Sequence, residues 1–161
     1  MRTFLTTFLL LLTAASSCSA ATPDLKIVRV WPSYRTTESF ERISEYLGKN
    51  ENPRDQLILR TQPDTRAGYY FLVRVKNSDT ANIDVKIELQ VISPFTPETK
   101  TYRFTCTLPV GTHALNLGLT GTDWPGKPSA EVVAWQLRLL STSDSEIAKQ
   151  QSYLWALPEK K

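Results

Sequence analysis

Two side chains in this sequence could form a nucleophile and its base. Cys106 and His113, the chain's one histidine, stand close together in the stretch TYRFTCTLPVGTHALNL. If residues 109–112 make a four-residue hairpin loop, Leu108 faces His113 and Cys106 faces Leu115, which makes Cys106 and His113 diagonal neighbours on one face. An imidazole that near lowers a thiol's pKa and exposes the thiolate as a nucleophile. The same pattern has a plainer meaning. Cys106 alternates with Tyr102, Phe104 and Leu108, where a cysteine behaves as a small apolar residue, and His113 at a strand end is satisfied by solvent or a loop carbonyl. One histidine excludes a multi-histidine metal site and leaves any zinc site to carboxylates. Asp79 and Asp84 sit near one turn and Asp144 and Glu146 near another, as solvated turn residues rather than a general acid and base. No glycine-rich phosphate loop, nucleophile elbow or dinucleotide fingerprint occurs. The sequence therefore points to no enzyme and implies no cofactor and no metal.

A second candidate is a binding loop. Residues 120–131, TGTDWPGKPSAE, hold two glycines and two prolines, which exclude regular structure. Asp123, Trp124 and Lys127 together offer a ring for stacking on a sugar and polar groups for its hydroxyls. A rigid scaffold often carries its binding residues on such a loop. The competing reading folds Trp124 back over the end of the core. Trp135 alternates with Val133, Leu137 and Leu139 and is assigned to the core. Trp31 precedes Pro32 at a strand end, and Trp155 closes the last strand.

The N-terminus carries a third feature, at Cys18. Arg2 is followed by the apolar run FLTTFLLLL and by small residues. That order describes a secretory signal peptide, and the run is short against the roughly 20 residues a spanning helix needs. Two ends compete. Ser19 and Ala21 suit ordinary cleavage before Thr22, which gives a signal peptide of residues 1–21 and a domain of residues 22–161. Ala15-Ser16-Ser17-Cys18 resembles a bacterial lipobox, although Ala15 stands where that motif prefers leucine. The resemblance implies a leader of residues 1–17 and a lipid attached to Cys18, with each buried methylene contributing about 0.8 kcal/mol to anchoring. The chain has only two cysteines, Cys18 and Cys106, so the alternatives are lipidation, loss of Cys18 with the leader, or a disulfide between the two. Each ending implies export, either to the periplasm or outer membrane as a lipoprotein or as a secreted protein.

Nineteen Lys and Arg against 16 Asp and Glu give a formal net charge of +3. That balance is too mild for a nucleic-acid footprint, which needs basic residues clustered on one face. The expected partner is an envelope protein or a glycan, and any membrane contact is through the anchor.

These candidates must be positioned by strands. Ile83, Val85, Ile87, Leu89 and Val91 alternate with Asp84, Lys86, Glu88 and Gln90, the period-two signature of a half-buried strand. Residues 101–108, 69–76 and 115–119 repeat it. Further strands are expected at Leu25–Trp31, Gln56–Thr61, Glu131–Leu140 and Ile147–Trp155. Helix periodicity appears only near the N-terminus, where Thr37 caps a segment with Phe40, Ile43 and Leu47 on one stripe and Gly48 at its end. About eight short strands with turn signals between them predict an all-β antiparallel sandwich with one short helix. The strand order resembles an immunoglobulin-like or fibronectin III-like sandwich in architecture alone, because the paired core cysteines around a tryptophan are absent. The implied function is that of a non-enzymatic, exported interaction or structural module, with a small carbohydrate-binding module as the alternative.

Overall fold

Stretches whose apolar residues recur at every second position become strands in the computed structural model, which describes residues 23–40, 56–126 and 129–156. In chain order they are β1 (Leu25–Arg35), β2 (Gln56–Arg60), β3 (Gly68–Asn77), β4 (Ile83–Ser93), β5 (Thr96–Leu108), β6 (Gly111–Thr120), β7 (Ala134–Leu140) and β8 (Glu146–Gln151). They form two four-stranded sheets, ordered β1-β3-β6-β2 and β5-β4-β7-β8. The chain is thus all-β, and its two sheets share one core.

Alternation dictates what fills that core. Tyr69, Phe71, Val73 and Val75 of β3 and Leu115, Leu117 and Leu119 of β6 point inward from the first sheet. Val85, Ile87, Leu89 and Val91 of β4 meet them with Trp135, Leu137 and Leu139 of β7. Phe71 and Trp135 touch edge to face across the gap, ring centroids 5.9 Å apart, a geometry aromatic rings prefer. Full burial of each such side chain stabilises by about 1.5–3 kcal/mol. Asn77 locks one end of the sandwich. Its Nδ2 donates to the carbonyls of Ala81 and Leu108, at 3.0 and 3.1 Å, and so ties the β3–β4 crossover to the end of β5.

Four expectations need correction. The first sheet is not wholly antiparallel, because β2 lies parallel to β6 at the sheet edge. The chain leaves β1 at one edge and re-enters at the other, so β2 runs in the same direction as β1. The one α-helix among the described residues is a single turn near the C-terminus, α1 (Tyr153–Ala156), and not a helix near the N-terminus. Of that expected helix, Glu38–Phe40 is a 3-10 turn, and residues 41–48 lie outside the described residues. The expected strand to Trp155 stops at Gln151, where α1 follows and leaves Tyr153 and Leu154 exposed. Finally, β5 and β6 are not a hairpin. Leu108 pairs with Ile83 in one sheet, while Gly111 pairs with Asn77 in the other.

Candidate functional site

The outer face of the first sheet gathers the least balanced set of side chains among the described residues. The segments that form β1, β2, β3 and β6 contain six basic residues and no Asp or Glu. Inward positions of this sheet are apolar, so the pleat sends every one of those charges outward. The register then stacks them. Lys26 lies opposite Lys76, and Arg29 lies opposite Arg74. Like charges directly across a strand pair destabilise the sheet, so the fold carries a cost here.

A β-bulge brings Arg29 to that face. Pairing slips between Ile27 and Arg29, and Val28 has no partner on β3. In unbroken register Val28 would face Arg74 and Arg29 would point into the core. With the extra residue Val30 takes the core position instead, 9 % exposed. Bulges of this kind gather at sheet edges and re-aim side chains, and β1 is an edge strand.

Trp31 follows on the same face, opposite Leu72. The Arg29 guanidinium lies 4.4 Å from the centre of the Trp31 ring, and that of Arg74 lies 5.7 Å from it. Two cations attracted to one ring are held side by side despite their repulsion. A guanidinium stacked this way keeps its in-plane N–H forks free for a carboxylate or phosphate.

Further along the face the environment closes. Tyr70 is fully buried although it points away from the core. Its hydroxyl donates to the Arg66 carbonyl at 2.6 Å and accepts from Arg60 Nε at 2.7 Å. Burial pushes the phenol's pKa up, and the hydrogen bond from Arg60 and the charges of Arg60 and Arg35 pull the other way. The ring lies over Gly118, where an added Cβ would collide with Tyr70 Cε1. Phe40 covers Tyr70 at 4.7 Å between centroids and receives the guanidinium groups of Arg35 and Arg60 at 5.6 and 5.1 Å. The face thus has a closed half around Tyr70 and an open half with Lys26, Arg29, Arg74 and Lys76 exposed.

The thiol pair does not assemble. Cys106 pairs with Val85 in the second sheet and His113 with Val75 in the first. The His113 Nε2 is 3.1 Å from the Val110 carbonyl, the loop carbonyl that satisfies it. Cys106 is half-buried, and burial together with the charge of Asp84 pushes its pKa up to about 11. A nucleophile needs the opposite shift.

The loop candidates are also separated. Trp124 is 4 % exposed, its ring packed 4.4 Å from Tyr69 and 5.3 Å from Phe95. It caps the core and offers no open face for stacking. Asp123 sits at the end of a 3-10 turn; burial, and after it the charge of Asp123, push the Tyr102 pKa up to about 12. Lys127 and Cys18 lie outside the described residues. The turn carboxylates are engaged locally: Asp84 accepts from Thr107 Oγ1 at 2.6 Å, and Asp144 pairs with Lys86 at 2.7 Å.

One residue was missed. Glu88 is on the water side of β4, as its place in the alternation requires, yet it is only 5 % exposed. Arg138 on β7 and Arg103 on β5 flank it in register and close over its carboxylate. The hydrogen bond from Arg138, reinforced by Arg103, holds the Glu88 pKa below the usual carboxylate range against the penalty of burial. Glu146 extends the cluster to Arg138 at 3.8 Å. The alternation showed which face Glu88 takes, and only the pairing of three strands showed that two arginines bury it.

Among the described residues no group of three or more His, Cys, Asp or Glu is placed to hold a metal ion. No helix among them is long and apolar enough to cross a membrane. Comparison of the chain with protein-family models, with curated proteins and with solved structures gave no match.

Proposed function

We propose that this protein is a non-enzymatic, exported interaction or structural module of the cell envelope, built as an immunoglobulin-like or fibronectin III-like sandwich and anchored by a lipid on Cys18. The observation that carries it is the contrast between an idle thiol and an unneutralised surface. Cys106 is held as a thiol away from His113, while the outer face of the first sheet presents basic residues with no carboxylate on its strands. Surfaces of that kind bind rather than react. Support for the sandwich class comes from strand order: setting β2 aside, the sheets run β1-β3-β6 and β5-β4-β7-β8, the order of three-plus-four immunoglobulin-like sandwiches. The carbohydrate reading through Asp123, Trp124 and Lys127 is the lesser proposal, since it needs the Trp124 ring to leave its contacts with Tyr69 and Phe95.

The intact mass of the protein taken from its native membrane fraction tests the anchor. A chain beginning at Cys18 with acyl chains attached is expected. A chain beginning at Thr22 would remove the anchor and with it the lipoprotein assignment.

A further inference from the structure

We infer that the open half of the first sheet's outer face is a docking surface for a bilayer containing anionic lipid. The inference rests on the reading of the chain as a non-enzymatic envelope module, and not on the acylation of Cys18. Four cations form two adjacent rows, Lys26 with Lys76 and Arg29 with Arg74, and all four are exposed. Charged residues on an edge strand serve to block edge-to-edge pairing, which accounts for Lys26 and Arg29. It does not account for Arg74 and Lys76, because β3 is an interior strand with β1 on one side and β6 on the other. No ion pair neutralises any of the four among the described residues, although Asp24 immediately precedes β1.

Shape chooses the partner. The two members of each row lie about 5 Å apart across the strands and the rows about 7 Å apart along them, an exposed array on the sheet face. A lipid surface is flat and offers phosphates at many positions, so it meets such an array without a groove. Trp31, in contact with Arg29 and Arg74, is the aromatic type that settles at headgroup level. Guanidinium forks take phosphate oxygens two at a time. The closed half beyond Tyr70, sealed by Phe40, limits contact to the β1–β3 side.

Vesicle co-sedimentation of the full chain carrying Cys18→Ser tests this without any acyl chain. Phosphatidylglycerol–phosphatidylcholine vesicles are compared with pure phosphatidylcholine vesicles, and parent and variants carry the same leader with its Arg2, so that the leader's share of the binding is common to all. Excess binding to the anionic vesicles is expected, and it should collapse as salt shortens the screening length from about 10 Å at 0.1 M to about 3 Å at 1 M. Each basic residue near an anionic surface contributes a few-fold, so Arg29→Gln with Arg74→Gln should weaken that excess by about 30-fold. Lys26→Gln with Lys76→Gln, which touches no ring contact, gives a second variant whose fold is less exposed to disturbance; a thermal melt checks both. Equal binding to the two vesicle types would overturn the inference, as would an excess that survives both double substitutions. Binding of an acidic polysaccharide with no anionic-vesicle excess would overturn it too and assign the face to a soluble polyanion. The mass measurement reads the anchor and this experiment reads the face, so either can fail alone.

Discussion

In the second sheet Glu88 lies between Arg103 and Arg138, Glu146 reaches Arg138, and Lys86 meets Asp144. In the first sheet Arg29 faces Arg74 and Lys26 faces Lys76 across the same kind of strand pair. The strands of the second sheet carry five basic and four acidic residues, against six and none in the first. A formal net charge of +3 averages these surfaces and conceals both. Structure-supporting charge is self-satisfied: each carboxylate in the Glu88 cluster has its cation. Charge left for something outside the molecule accumulates with one sign and lowers the stability of the sheet that bears it.

Substitutions that remove a charge should respond in opposite senses on the two sheets. The largest effect is expected at Gly118, where the closed half of the first sheet leaves no room above the backbone. Gly118→Ala drives a methyl into the Tyr70 ring, an overpacking change that costs about 1–3 kcal/mol; urea denaturation measures it, and a neutral result would mean that Tyr70 does not lie on the sheet. Next is the thiol of the second sheet. With its pKa near 11 against an ordinary value near 9, Cys106 should react with iodoacetamide at pH 8 about a hundred-fold more slowly in the folded protein than after unfolding. Labelling at the unfolded rate would return reactive chemistry to this sheet.

Glu88→Gln should destabilise by about 1.5–3 kcal/mol, the range for a hydrogen bond to a charged group, with the mostly exposed Arg103 keeping the loss toward the lower end. The same residue sets an acid limb. Its folded pKa lies below its unfolded value, so its contribution is present above pH of about 4.5 and fades as pH falls through the lowered folded pKa. Denaturation midpoints between pH 5 and pH 3 should therefore fall more steeply in the parent than in Glu88→Gln. The smallest effect has the opposite sign. Arg74→Gln relieves a like-charged cross-strand pair and should raise stability by about 0.2–1 kcal/mol, less whatever its contact with Trp31 contributes. A clear loss of stability there would mean that Arg74 holds the sheet together, and the contrast between the sheets would fail.

Most strands were legible in the sequence because alternation is a local signal. Ile83 to Val91 named both its faces, and β4 buries the one expected. Long-range pairing was not legible. Nothing within Gln56–Arg60 says that it runs parallel to β6 rather than antiparallel to a neighbour. The turn at residues 109–110 looks like a hairpin and is a crossing between sheets, which is why Cys106 and His113 parted. Trp124 had two readings in the sequence, and its ring lies buried in the structure, where a large side chain gains more than it would in water. The basic face was visible only in halves. Arg74 and Lys76 were on the polar side of their alternation, but their meeting with Arg29 and Lys26 depends on register. A trace of the bulge was present: Leu25 and Ile27 are followed not by an apolar residue at 29 but by Val30, a slip in phase.

That slip makes the edge strand tolerant, at position 28, of a change in chain length as well as in composition. Deleting Val28 would restore strict alternation and leave every face as it is, because Arg29 would follow Ile27 directly and still lie opposite Arg74, with Val30 inward and Trp31 outward. Substitutions at position 28, whose side chain is half exposed, should pass unnoticed, and loss of the residue itself should remove the local kink while cooperative melting persists. Val28 thus acts as an inserted residue that the edge strand loops out, leaving the faces on either side of it in phase with β3.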